Sequence, residues 1–331
     1  MPVLVLSGTV VPVIILAAIF GFLNGFQDSS SMVATVISSR AMPSRQALLL
    51  TSLAHLVAPF LFGVAVATTI GHEVVKEPAV TLPVIQAALM AAIFWSLLTW
   101  WLGIPSSSSH ALIGGIVGSV AIDSGWQAVQ PNGLLKVLGA LFFTPLFGLA
   151  VSYVVMRLVF FLARGASPRI NWWFKRAQAL TVLGLSLGHG ANDAQKTMGI
   201  ITMALLAGRV IPSFHVPLWV VAASAGVMTI GAWLGSWRLI HTLGVGLYKM
   251  QPVHSFTAQV AAALVIIGGV LFGGPVSTTQ VVAAAIIGAG SAERMSKVRW
   301  GLAGQILRAW LLTIPATAVI AALVRLAISI C

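Results

Sequence analysis

Acidic side chains are nearly missing: Asp and Glu number 6 in 331 residues, and charged residues of all kinds make up 7% of the chain. A soluble domain carries roughly 25% charged residues. This chain cannot cover itself with a water-facing surface, so most of it is solvated by lipid. Cysteine is just as scarce. Cys331 stands alone at the C-terminus, which excludes an internal disulfide and any thiolate metal cluster. The shortage of acids leaves a formal net charge of +12, a value that in a soluble protein suggests a nucleic-acid partner. Here the positive charges fall in short connections between apolar runs, where the positive-inside rule expects them, and nucleic acid is excluded.

What the chain does contain is apolar sequence, 59% of it. A spanning helix needs about 20 mostly apolar residues, so the length has room for about ten membrane segments. The apolar runs extend from Val10–Phe22 to Leu302–Ile328. Several, among them Ala179–Leu187 and Met198–Leu206, are too short to span alone and flank polar or glycine-rich clusters. The first run lacks a basic leader, and Ser29–Arg40 behind it offers no small-residue cleavage site, so it is expected to be a retained span and not a signal peptide.

Those clusters repeat. Gly25-Phe26-Gln27-Asp28-Ser29 returns as Gly190-Ala191-Asn192-Asp193-Ala194, an offset of 165. Gly103-Ile104-Pro105-Ser106-Ser107-Ser108-Ser109-His110 returns as Gly273-Gly274-Pro275-Val276-Ser277-Thr278-Thr279-Gln280, an offset of 170. Two motifs in the same order at nearly the same spacing mark a duplication, with repeats over 1–165 and 178–331 and a basic linker over 166–177. Of the 18 basic residues, 12 fall near Arg40, Arg157–Arg176, Arg238–Lys249 and Arg294–Arg299, which places those four connections on the cytoplasmic side. The alternation then closes only if each Pro-Ser/Thr motif sits in a hairpin, one opening outward and the other inward. The expected fold is an all-α polytopic membrane protein: two inverted-topology repeats with broken helices and paired re-entrant helical hairpins, and both termini outside the cell membrane.

Four of the six acids, Glu73, Glu77, Asp123 and Glu293, belong to connections. The other two, Asp28 and Asp193, interrupt apolar segments at equivalent places in the repeats. A carboxylate at the centre of a membrane helix costs about 2.5–3.5 kcal/mol on insertion scales, and its default role is a cation or proton site. The plainer alternative is that one of them pairs with Lys196 or caps a broken helix. Gly25, Gly188 and Gly190 suit helix breaks that would turn backbone groups toward a ligand. Ser107-Ser108-Ser109 and Ser277-Thr278-Thr279 each follow a proline and open a helix-compatible run, a pattern that makes N-caps. Helix N-termini bind anions, and two of them meeting at the midplane would surround a tetrahedral oxyanion with hydroxyl and amide donors. Lys196 lies about one turn from Asn192, beside Gln195, where it would neutralise Asp193 or offset an anion's charge. His110 and His189 adjoin the motifs, but Gln280 and Asn24 replace them in the other repeat, so hydrogen-bonding roles are expected for both. The eleven tryptophans read as interfacial anchors.

With these residues in view the chain resembles a family. Gly190-Ala191-Asn192-Asp193-Ala194-Gln195-Lys196-Thr197-Met198-Gly199-Ile200 is similar to the signature of the inorganic phosphate transporter (PiT) family, and the Pro-Ser/Thr motifs ending in His110 or Gln280 resemble its paired hairpins. The resemblance spans nearly the whole chain. It implies a bacterial-type low-affinity phosphate permease of the inner membrane, driven by sodium or protons and carrying phosphate alone or as a metal–phosphate complex. It implies a phosphate site at Ser107, Ser108, Ser109, Ser277, Thr278 and Thr279, and a coupling-cation site at Asp28, Gln27, Asn192 and Asp193. Lys196, Gln195, His110 and Gln280 would support them. No cofactor and no metal beyond the transported cation is expected. Gln27 stands where the family usually has Asn, Ser30-Ser31 replaces an Ala-Asn-like pair, and Gln280 replaces the more usual His. The coupling ion is left open by these departures.

A sulfate permease of the same fold is the alternative. It differs physically because phosphate at neutral pH donates a hydrogen bond and sulfate does not. An intramembrane hydrolase is the third reading and fits poorly. Ser109, His110 and His189 supply nucleophile and base types, but Ser109 and His110 are adjacent on one helix and point apart, and a single-nucleophile enzyme has no use for both motifs twice. A passive channel fits two buried carboxylates less well than coupled transport does. The sequence leaves open whether the chain forms a homo-oligomer and whether a soluble protein regulates it.

Overall fold

The computed structural model describes residues 9–69 and 74–330. His72 and Glu73 of the expected outer connection, and Cys331, lie outside the described residues. The described residues are nearly all helical. The first half comprises α1 (Val11–Ser38), α2 (Ser44–Leu61), the short α3 (Ala65–Thr68), α4 (Leu82–Leu102), α5 (Ser108–Ser124) and α6 (Pro131–Leu162). The second half follows the same order with α7 (Ile170–Ala207), α8 (Leu218–Leu234), the short α9 (Trp237–His241), α10 (Pro252–Leu271), α11 (Thr278–Arg294) and α12 (Trp300–Ile330). Among the described residues, the β-bridging consists of a single antiparallel contact between Val75 and Val129.

Local chemistry sets the ends. Proline stands in the first turn of α1, α4, α6 and α10, where its missing N–H has no partner to lose and its φ is already helical. α4 stops on Gly103, whose φ of 71° is left-handed, and Gly273 repeats this after α10 with a φ of 67°. A side chain at either place would be strained, so the glycine of each Pro-Ser/Thr motif is what turns the hairpin. Pro145 inside α6 and Pro315 inside α12 are a second pair at an offset of 170.

Among the described residues, five helices (α1, α4, α6, α10 and α12) are long and apolar enough to cross a membrane, and α8 with Trp237–Gly246, bent by 64°, makes a sixth. That is fewer than the room for about ten suggested, and the hairpin arms α5 and α11, with 17 residues each, account for part of the difference. A 17-residue helix rises about 25 Å, short of a hydrocarbon core of roughly 30 Å. The outward faces of α6 and α12 are largely apolar: Leu146, Phe147 and Val154 on one, Val319 and Leu323 on the other, are exposed. With lipid outside, polar groups collect inside, and the buried set includes Asp28, His55, Ser107, His189, Asn192, Asp193 and Lys196.

The two halves interlock. α1 packs on α8 and α2 on α7, while α5 packs on α12 and α6 on α11. Each half's hairpin helix is therefore covered by the last helix of the other half. The hairpin turns are braced the same way: Thr242, just after α9, donates to the Gly103 carbonyl at 2.9 Å, and Thr69, just after α3, donates to the Gly273 carbonyl at 2.9 Å.

The expected helix breaks at Gly25, Gly188 and Gly190 are not there. α1 runs unbroken for 28 residues and α7 for 38, which also joins the short apolar runs Ala179–Leu187 and Met198–Leu206 into one helix. The glycines serve packing instead. A Cβ at Gly25 would lie 2.0 Å from the Met228 carbonyl oxygen, and one at Gly190 would lie 2.9 Å from the His55 Cα. Small residues here let helix backbones touch, as in other membrane interfaces. The same crossing of α1 and α8 is tight from the other side, where a Cβ at Gly231 would lie 2.1 Å from the Phe22 carbonyl oxygen. Gly231→Ala should cost about 1–3 kcal/mol through overpacking, read as a lower thermal midpoint of the purified protein; an unchanged midpoint would show that the crossing gives way without strain. The basic stretch expected as a linker is helical from Ile170 onward, since α7 starts there.

At the far ends of the hairpins each short helix ends on an acid with a partner. Asp123 pairs with Arg325 of α12. Glu293 accepts from Tyr248 and lies 3.0 Å from His254 Nε2 and 2.8 Å from Lys297 Nζ. Burial, reinforced by Glu293, pushes the Tyr248 phenol above its usual range.

Candidate functional site

The hairpin tips meet in the interior. Ser107 is the N-cap of α5 and Ser277 the N-cap of α11, and Ser277 Oγ donates to Ser107 Oγ at 2.8 Å. Ser107 also caps its own helix, accepting the His110 N–H at 3.2 Å, while Ser277 makes no such bond. The first turn of α11 therefore keeps amide donors without a side-chain cap. Ser109 Oγ reaches across to the Val276 carbonyl at 3.2 Å.

Both buried carboxylates address these tips, because continuous α1 and α7 present them on the faces that the hairpins cover. Asp28 accepts from Thr279 at 2.6 Å through Oδ1 and from Ser108 at 3.1 Å through Oδ2. Asp193 Oδ1 accepts from Lys196 Nζ at 2.5 Å and from Asn192 Nδ2 at 2.6 Å. Its Oδ2 accepts from Thr278 at 3.3 Å and lies 3.0 Å from His189 Nε2. Ligand atoms of Asp28, His189 and Asp193 all lie within 4.8 Å of one another. Three residues with oxygen and imidazole donors so close together, in a fully buried place, have the chemistry of a cation site.

The predicted residues divide into those the fold gathers and those it does not. Ser107, Ser108, Ser109, Ser277, Thr278, Thr279, Asp28, Asn192, Asp193 and Lys196 fall into three adjoining hydrogen-bonded groups: Ser277 on Ser107, Ser108 and Thr279 on Asp28, and Lys196, Asn192 and Thr278 on Asp193, which Ser109 joins through the Val276 carbonyl. Asn192 ties the last of these groups to the second hairpin, donating to the Val276 carbonyl at 2.8 Å and accepting its N–H at 3.1 Å. Gln27, its counterpart, turns elsewhere and donates to the Ser96 carbonyl of α4 at 3.1 Å. Gln195 leaves the cluster too: its Oε1 accepts the N–H groups of Val66 and Ala67 at 2.8 and 3.3 Å and so caps α3. His110 and Gln280 stand behind the tips, with His110 Nδ1 2.7 Å from Ser107 Oγ and 3.4 Å from Gln280 Nε2. Of the roles open to Lys196 from sequence, the structure puts it on Asp193.

Two contributors escaped the motif analysis. His55 of α2 meets His189 through a 2.8 Å contact between Nε2 and Nδ1, and Ser96 supplies the carbonyl that holds Gln27. Each is a polar residue inside an apolar run, and that alone marks it.

The chain is similar to known proteins along nearly its whole length. The model of the phosphate transporter family matches residues 24–173 and 161–321. A probable low-affinity inorganic phosphate transporter of Rhizobium meliloti (strain 1021) is 41% identical over 315 residues, covering 95% of this chain and 94% of its own length. A protein of the same description from Bacillus subtilis (strain 168) is 37% identical, covering 94% of each. A solved structure titled "The sodium-dependent phosphate transporter" superposes with a TM-score of 0.87 over 98% of this chain and 100% of its own, at 22% identity; at that identity it speaks for the fold alone.

Proposed function

This chain belongs to the phosphate transporter family, and on that premise we propose that it is a secondary active symporter, carrying inorganic phosphate across the membrane with sodium or a proton. The halves 1–165 and 178–331, joined through 166–177, would be inverted repeats that rock about the shared site, with both termini outside. The observation that carries the reading is the meeting of two helix starts, Ser107 and Ser277, beside two buried carboxylates.

The geometry supports a coupling step. Ser108 and Thr279 spend their protons on Asp28. A cation that takes the Asp28 carboxylate frees both hydroxyls to turn toward an anion at the helix N-termini and removes the nearest repelling charge. On this reading cation binding precedes phosphate binding. A phosphate that keeps a P–OH can also donate to the hydroxyl oxygens, whereas sulfate has no proton to give, which favours phosphate over sulfate.

The test is uptake of labelled phosphate by liposomes holding the purified chain, under an inward sodium gradient, an inward proton gradient, or neither. Uptake that needs one gradient and survives excess sulfate is expected. Uptake indifferent to both gradients, or abolished by sulfate, would overturn the reading.

A further inference from the structure

We propose that Lys196 is a tethered cation that permanently occupies the carboxylate of the second repeat, so that of the two carboxylates only Asp28 is free to take the transported cation. The inference rests on the symport reading and goes further by assigning unequal work to two carboxylates that the duplication makes equivalent.

The argument is a count of partners. An ionised carboxylate has about four lone-pair positions. Asp193 fills three of them with Lys196, Asn192 and Thr278, and has the His189 ring 3.0 Å away. Asp28, among the described residues, accepts from Ser108 and Thr279 only. The difference follows position by position from the sequence at the offset of 165. His189 stands 3.0 Å from Asp193 without a hydrogen bond to it, and its counterpart Asn24 makes no bond to Asp28, its Nδ2 being without a partner among the described residues. Asn192 donates to Asp193, whereas Gln27 donates to the Ser96 carbonyl. Lys196 stands where the first repeat has Ser31, whose hydroxyl is buried and unpartnered among the described residues. The lysine and its acid are both fully buried at 0% exposure, one turn apart on the same face of α7.

A buried carboxylate without a positive partner is unstable in a low-dielectric interior. Asp193 has its ammonium built in, within 2.5 Å. Asp28 has hydroxyls, which can be surrendered, and no cationic side chain among those that bond it. The carboxylate that must recruit its positive charge from solution is therefore Asp28. Lys196 becomes a stoichiometry-determining residue: it substitutes for an ion that a symmetric site would carry.

Lys196→Ser gives the second repeat the residue type that the first has and is the decisive variant. In reconstituted liposomes, the reversal potential under imposed phosphate and driving-cation gradients gives the cations moved per phosphate. The expected result is one more cation per phosphate in Lys196→Ser than in the wild type. Equal stoichiometry in an active variant overturns the proposal. If the variant does not transport, its thermal midpoint in sodium against choline decides. A sodium-dependent stabilisation beyond that of the wild type, lost again in the Lys196→Ser/Asp193→Asn double variant, supports the tethered cation, and the same sodium dependence in wild type and variant overturns it. A wild type that takes up no phosphate would sink the symport reading instead, while the sodium measurement would still judge Lys196.

Discussion

Asp28→Asn should cut gradient-driven phosphate uptake by roughly 100-fold, equivalent to about 2.7 kcal/mol, and leave the fold intact. The two halves of that expectation have separate causes. Asn is nearly isosteric, and the hydroxyls of Ser108 and Thr279 that bond Asp28 can rotate to accept from an amide as readily as they donate to a carboxylate. No charged side chain loses its partner. The thermal midpoint should move by no more than the few degrees that about 1 kcal/mol produces. Transport is different, because an amide carries no charge to hold a cation, and losing a charge-assisted contact in a buried place costs about 2–5 kcal/mol. Initial uptake rates at matched incorporation, alongside thermal melts of the same preparations, check both halves. Uptake at the wild-type rate would remove Asp28 from the coupling site.

Asp193→Asn, chemically the same change, should instead fail on stability. It strands the Lys196 ammonium in a place where both partners are at 0% exposure, and breaking one side of a buried ion pair costs about 3–5 kcal/mol. Adding Lys196→Met should return most of that loss, because two apolar or neutral groups of similar volume replace the pair. Denaturant midpoints of the two single variants and the double in one detergent complete the cycle. If the double is no more stable than Asp193→Asn alone, the pair is not what the region depends on. Lost transport in the Asp193 variant by itself says nothing of coupling, and Asp28 is the cleaner probe.

Much of this was legible in the residues, for identifiable reasons. The duplication showed because both motifs are short, polar and set in apolar sequence, where any deviation from the background stands out. Ser107 and Ser277 read as helix starts because proline and hydroxyl side chains act through local geometry that does not depend on the rest of the fold. Gly25, Gly188 and Gly190 read wrongly as breaks because a glycine in a membrane helix has two physical uses, flexibility and close approach, and only the neighbour across the interface decides between them. The Met228 carbonyl and His55 Cα are those neighbours, and they come from other helices. Gln27 was grouped with Asn192 on equivalence of position, yet it bonds to α4, away from the hairpin tips. The added methylene lets the amide reach a different carbonyl, and nothing in the local sequence points to Ser96.

The exchange of covers between the halves has a consequence for synthesis. Residues 108–124 form a hairpin helix whose face is buried by residues 300–330. At about 5–20 residues per second, roughly 10–40 s pass between the emergence of the one and the arrival of the other. During that time the newborn first half holds a half-finished polar interior in lipid with its lid not yet translated. It cannot mature as a separate unit, and a chain cut short before its last helix should be recognised by the cell's membrane proteases as unfinished, however complete its first 165 residues are.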